Sequence, residues 1–112
     1  MGRDPFFDPA IETMSRGDLD ALVDERVRYT VAYAQEHSPF YRKWFREHGI
    51  EPGAIREHED LLTLPIVSGK TIRENQPPLT PEFMFRSVSW DEIFTVHETS
   101  GTSGTPKSFF LT

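Results

Sequence analysis

Thr99-Ser100-Gly101-Thr102-Ser103-Gly104-Thr105-Pro106-Lys107 is the stretch whose reading decides the fold. It packs five hydroxyl residues, two glycines and one lysine into nine positions. Glycine lets a backbone come close to a ligand and turn its N–H groups inward. Hydroxyls donate to phosphate oxygens, and lysine adds a compact positive charge. The stretch therefore reads as a loop for a polyphosphate tail. It is not a Walker A loop. Counted from Gly101, the second glycine of G-x-x-x-x-G-K-[ST] falls on Pro106, which has no N–H to offer.

The flanks place this loop between strands. Ile93-Phe94-Thr95-Val96 is β-branched and aromatic, as is Ser108-Phe109-Phe110-Leu111-Thr112 in its apolar part. Residues 93–112 are thus expected to form a strand–loop–strand unit. Common hairpin loops run to roughly 2–5 residues, and longer ones between strands are more often functional. A flexible Ser/Thr/Gly linker would require neither Pro106-Lys107 nor the two strands.

Upstream, the pattern turns helical. Ser15 followed by Asp18 resembles a capping box. Leu19, Leu22, Val23, Val27, Val31 and Ala34 then recur at helical spacing, which predicts a helix over 16–36 with that face in a core. Ser38-Pro39 restarts a helix, with a cap and then proline at the first helical position, and Gly49 stops it. Tyr41, Trp44, Phe45 and His48 share one face of this second helix, and core packing is their expected role. Residues 1–14 read as an extended arm and 50–92 as irregular with short helices. Within that zone lie a turn at 60–64 halted by Pro65, a turn from Ser68 to Asn75, and an end at Gln76-Pro77-Pro78. The fold class is α+β: N-terminal helices followed by a β-hairpin-like unit carrying the loop, all in one partial domain, 1–112.

Other chemistry is thin. The histidines at 37, 48, 58 and 97 show no metal-ligand spacing, so no metal site is expected. Ser100 and Ser103 lack an oriented base, and no catalytic residue is assigned. His97, at a strand end, reads as a structural residue that could also face an acceptor site. The net charge of −6 argues against a nucleic-acid partner, since phosphate backbones select basic faces. With no cysteine there is no disulfide framework. Asp4 and Asp8 interrupt the first residues, which do not read as a signal peptide, and no apolar run approaches the roughly 20 residues of a membrane helix. A cytoplasmic chain without a membrane partner is the expectation.

The loop and its surroundings resemble a known family. Thr99 to Lys107, with Thr112 beyond, fits the signature [ST]-S-G-[ST]-[ST]-G-x-P-K of the adenylate-forming enzymes. Further upstream, Glu12-Thr13-Met14-Ser15, Ser38-Pro39-Phe40-Tyr41, Glu59-Asp60-Leu61-Leu62-Thr63-Leu64-Pro65 and the residues from Lys70 to Arg73 resemble the opening of phenylacetate–CoA ligases and of coenzyme F-390 synthetases. Lys107, with His97-Glu98 before the loop, tilts the resemblance toward the deazaflavin branch. It implies an AMP-forming ligase that activates a carboxylate, or a coenzyme hydroxyl, with ATP and Mg²⁺ and in some members CoA. It also implies that Thr99, Ser100, Gly101, Thr102, Ser103, Gly104, Thr105 and Lys107 hold the nucleotide phosphates. The family's adenine pocket, hinge and catalytic lysine lie outside these residues, so the chain alone is expected to be inactive. Its implied partner is the remainder of the enzyme or a second subunit, and a homodimer is compatible with the sequence. The competing reading is a non-catalytic helical interaction module that keeps the loop as a relic.

Overall fold

The computed structural model describes residues 4–101 and 104–112. Within the N-terminal arm the chain forms one helical turn, α1 (Pro9–Glu12), rather than staying extended. The Asp8 carboxylate accepts from the Ile11 N–H and Pro9 takes the first helical position, so local capping chemistry suffices to nucleate the turn. Helix α2 (Arg16–His37) starts at Ser15, whose hydroxyl accepts from the Asp18 N–H. Helix α3 (Pro39–Glu47) follows at once. Ser38 closes α2 with its N–H on the Ala34 carbonyl and caps α3 with its hydroxyl under the Tyr41 N–H. Gly49 carries a φ of +65°, the left-handed conformation that ends the helix.

The core is a cluster of Val31, Phe40, Trp44, Phe45 and Ile55, with Tyr41, Ile50, Leu64, Val67, Met84 and Phe85 packed against it. The Phe40 and Phe85 rings stack with centroids 4.0 Å apart. Of the apolar face expected along α2, only Val31 is buried, and Val23 remains 37% exposed. The cause is length. At 1.5 Å per residue, α2 spans about 33 Å against about 14 Å for α3, so its first turns outrun their helical neighbour. They meet instead the 3₁₀ segment His58–Thr63. There Asp24 accepts from both the His58 N–H (2.8 Å) and the His58 ring Nδ1 (2.7 Å). The Asp24 carboxyl is held below its ordinary range by these bonds, the one from the His58 backbone first. The His58 imidazole is raised, chiefly by its bond to Asp24.

The fourth helix, α4 (Gly69–Glu74), lies in the middle zone and is capped by the Ser68 hydroxyl. Two backbone bonds bind its end to the core: Met84 N–H donates to the Asn75 carbonyl and Phe40 N–H donates to the Met84 carbonyl, each 2.9 Å. Strands β1 (Thr95–Glu98) and β2 (Ser108–Leu111) then pair antiparallel, Thr95 opposite Leu111 and Glu98 opposite Ser108. The first strand lies two residues later than its sequence suggests, because the 3₁₀ turn Trp90–Glu92 closes on Ile93. Phe110 anchors the hairpin edge-to-face against Phe83 and Trp90, centroids 4.9 and 5.4 Å away. Among the described residues no helix is long and apolar enough to cross a membrane.

Candidate functional site

The bend between β1 and β2 continues their ladder by one rung. Thr99 N–H donates to the Lys107 carbonyl at 2.9 Å, and Lys107 N–H donates to the Thr99 hydroxyl oxygen at 2.9 Å. Beyond that rung the chain must reverse, and glycine makes this feasible. Gly101 has φ +75° and Gly104 φ +133°. A Cβ at Gly101 would lie 2.9 Å from the Gly104 carbonyl oxygen and 2.9 Å from Pro106 Cγ, closer than side chains tolerate. Pro106 and Gly101 thus fold against each other, which accounts for a proline where a Walker loop needs glycine.

Thr99, Ser100, Gly101, Gly104, Thr105 and Lys107 line one small cleft of about 60 Å³. Six of the eight residues expected to bind phosphate are therefore together. Thr102 and Ser103 lie outside the described residues. Ser100, Gly104 and Thr105 are exposed, and Lys107 is half-buried. Two donors differ from expectation. The Gly104 N–H closes the turn on the Gly101 carbonyl (3.1 Å) rather than pointing at open space. The Thr99 oxygen already accepts from Lys107, so its hydroxyl proton is what it can offer a ligand.

The seventh lining residue is Arg73, from the last turn of α4. It faces Gly104, where a Cβ would stand 3.8 Å from the arginine Nε. The other end of α4 meets Lys107. A Cβ built on Gly69 would lie 3.3 Å from Lys107 Nζ and 3.8 Å from an Arg73 guanidinium nitrogen. Both cationic groups thus converge on the Cα of Gly69, where a side chain would crowd the lysine tip. Among the described residues neither takes part in an ion pair, whereas Lys70, on the same helix, pairs with Glu74. Two uncompensated like charges side by side are what an anion site requires.

Gln76, just past α4, is 4% exposed. Its amide Nε2 donates to the Pro106 carbonyl at 2.6 Å, and its Oε1 accepts from the Ser108 N–H at 3.1 Å. Neither Arg73 nor Gln76 was legible as part of the site, because both lie at the C-terminal end of α4 and meet the bend only through the tertiary fold. His97 is exposed on β1 opposite Phe109 and does not line the cleft. No cluster of three or more metal-ligating side chains occurs among the described residues.

This arrangement, a glycine bend closed by a strand rung and faced by two cations, occurs in a fold with clear relatives. A solved 2-hydroxyisobutyryl-CoA ligase in complex with 2-HIB-AMP and CoA superposes over 92% of the chain with a TM-score of 0.79 and 36% identity. The same ligase in its postadenylation state, with 2-HIB-AMP, covers 96% with a TM-score of 0.77. By sequence and fold the chain matches a segment of the adenylate-forming CoA ligases. Within that class, its curated relatives are phenylacetate–coenzyme A ligases. That of Thermus thermophilus is 37% identical over 100 residues and that of Escherichia coli 35% identical over 96 residues. The chain spans about 21% of the length of either enzyme. No protein-family model matches the chain.

Proposed function

We propose that the bend at 99–107 grips the β- and γ-phosphates of ATP in an AMP-forming CoA ligase, acting together with the remainder of such an enzyme. The observation that carries this reading is the convergence of Lys107 and Arg73 beside Gly69, without a countercharge among the described residues. The ammonium and guanidinium would take the outer phosphate oxygens. The hydroxyls of Ser100, Thr105 and Thr99, with Thr102 and Ser103, would donate to the rest. As an acceptor oxygen attacks the α-phosphate, negative charge moves onto the departing pyrophosphate, and fixed cations there lower the barrier. The cleft offers no carboxylate for a resident metal among its described lining. Mg²⁺ therefore fits as the companion of the nucleotide and not as a guest of these residues. The names of the relatives favour a carboxylate acceptor over a deazaflavin hydroxyl, and CoA as the final acyl acceptor.

ATP–pyrophosphate exchange in the full-length protein tests the proposal. Lys107→Ala combined with Gly104→Ala should collapse exchange while the protein stays folded. Unchanged exchange would overturn the assignment and favour the relic module.

A further inference from the structure

We infer that Gln76 is a positioning residue for Lys107, an inference that rests on the phosphate-grip reading above. The two groups that the Gln76 amide binds, the Pro106 carbonyl and the Ser108 N–H, are the backbone groups on either side of Lys107. Lys107's own N–H and carbonyl are taken by Thr99. In an extended chain, successive peptide groups point to opposite edges. Thr99 therefore holds one edge of the lysine's backbone and Gln76 the other. A single side-chain amide stands where a third strand would otherwise pair.

The amide sits in the interior. It is almost wholly buried, and its helix end is tied through Met84 to the first turn of α3. The lysine backbone is thus referenced to the aromatic core and not to the exposed bend. The chemistry demands glutamine. The site needs one donor and one acceptor at fixed spacing, and both are used, so no buried polar atom of this side chain is left unpaired. Glutamate supplies no donor for the Pro106 carbonyl, and methionine, of similar length, supplies neither group. Displacing a charged group by about 1 Å costs up to 10²-fold in rate when that group must meet a specific ligand atom.

The test is a double-mutant cycle in the full-length protein, reading kcat and KM for Mg·ATP by pyrophosphate exchange alongside the melting temperature. Gln76→Met should lower kcat/KM for ATP by roughly tenfold to 10²-fold. It should cost almost nothing further in a Lys107→Ala background. Equal losses in both backgrounds, or wild-type kinetics from Gln76→Met, would overturn the inference while leaving the phosphate grip standing. Wild-type kinetics from Lys107→Ala alone would overturn the grip itself. If Gln76→Met does not fold, Gln76→Glu, which keeps the acceptor for Ser108, carries the same expectations in the same cycle.

Discussion

Helices α2 and α3 and the bend at 99–107 are stabilised by different forces. The helical half buries Phe40, Trp44 and Phe45 to 8% exposure or less. Its geometry is over-determined by many small contacts. The bend buries little and is set by a few hydrogen bonds, two positive-φ glycines and one remote amide. A region of the first kind loses stability with any vacancy in its packing. A region of the second kind is inexpensive to deform, so its shape has to be guaranteed from outside, here by α4 and Gln76.

Several substitutions would sharpen or break this contrast. The largest effect is expected in the core. Phe45→Ala should destabilise the fold by about 3–5 kcal/mol, measured by urea unfolding. A loss near zero would mean that the aromatic cluster does not hold the chain together. Next comes Lys107→Ala, expected to cost on the order of 10²-fold in pyrophosphate exchange with an unchanged melting curve. If melting falls as far as activity, the bend is structural and the contrast disappears. Gly101→Ala should cost at least roughly 1–2 kcal/mol locally, since an L side chain at its positive φ is strained and its Cβ would press on the Gly104 carbonyl and Pro106. That cost should appear as faster amide exchange at Thr99 and Lys107, not as global unfolding.

The smallest effect concerns the Asp24–His58 tie. The raised His58 imidazole stabilises the fold fully below its ordinary pKa of about 6.5 and loses this contribution as pH rises through its raised value. The lowered Asp24 carboxyl contributes above its ordinary value of about 3.9 and loses its share as pH falls through the lowered one. Glu59, 3.5 Å from the other ring nitrogen, acts in the same direction as Asp24 on the imidazole. The tie is therefore complete between about pH 4 and pH 6.5. His58→Phe should flatten the fall in stability above that window. An unaltered pH profile would show that the contact carries no linkage.

Much of the helical half was legible because caps are local. Ser15, Ser38-Pro39 and Gly49 announce their turns within four residues of themselves, and the structure places helix ends at each. Asp8-Pro9 carries the same signal in a shorter form, and the single turn it builds is easily taken for an extended arm. The apolar spacing of α2 fixed a face but not its cover, since spacing says nothing about where a partner helix ends. In the bend, the phosphate-type residues were legible from composition. Arg73 and Gln76 were not, because what qualifies them is a contact across about 30 residues of chain. The resemblance to adenylate-forming enzymes rested on the nine-residue signature and short upstream stretches, and the relatives found by sequence and by fold agree with it.

The rung formed by Thr99 and Lys107 has a consequence for variation in the bend. It closes the hairpin before the reversal begins, so changes beyond it act on this last rung first and on the β1–β2 register only through it. Exchange of the residues between the two ends of this rung, for a stretch of another length or another hydroxyl pattern, should therefore leave the pairing of Glu98 with Ser108 and of the rungs before it in register.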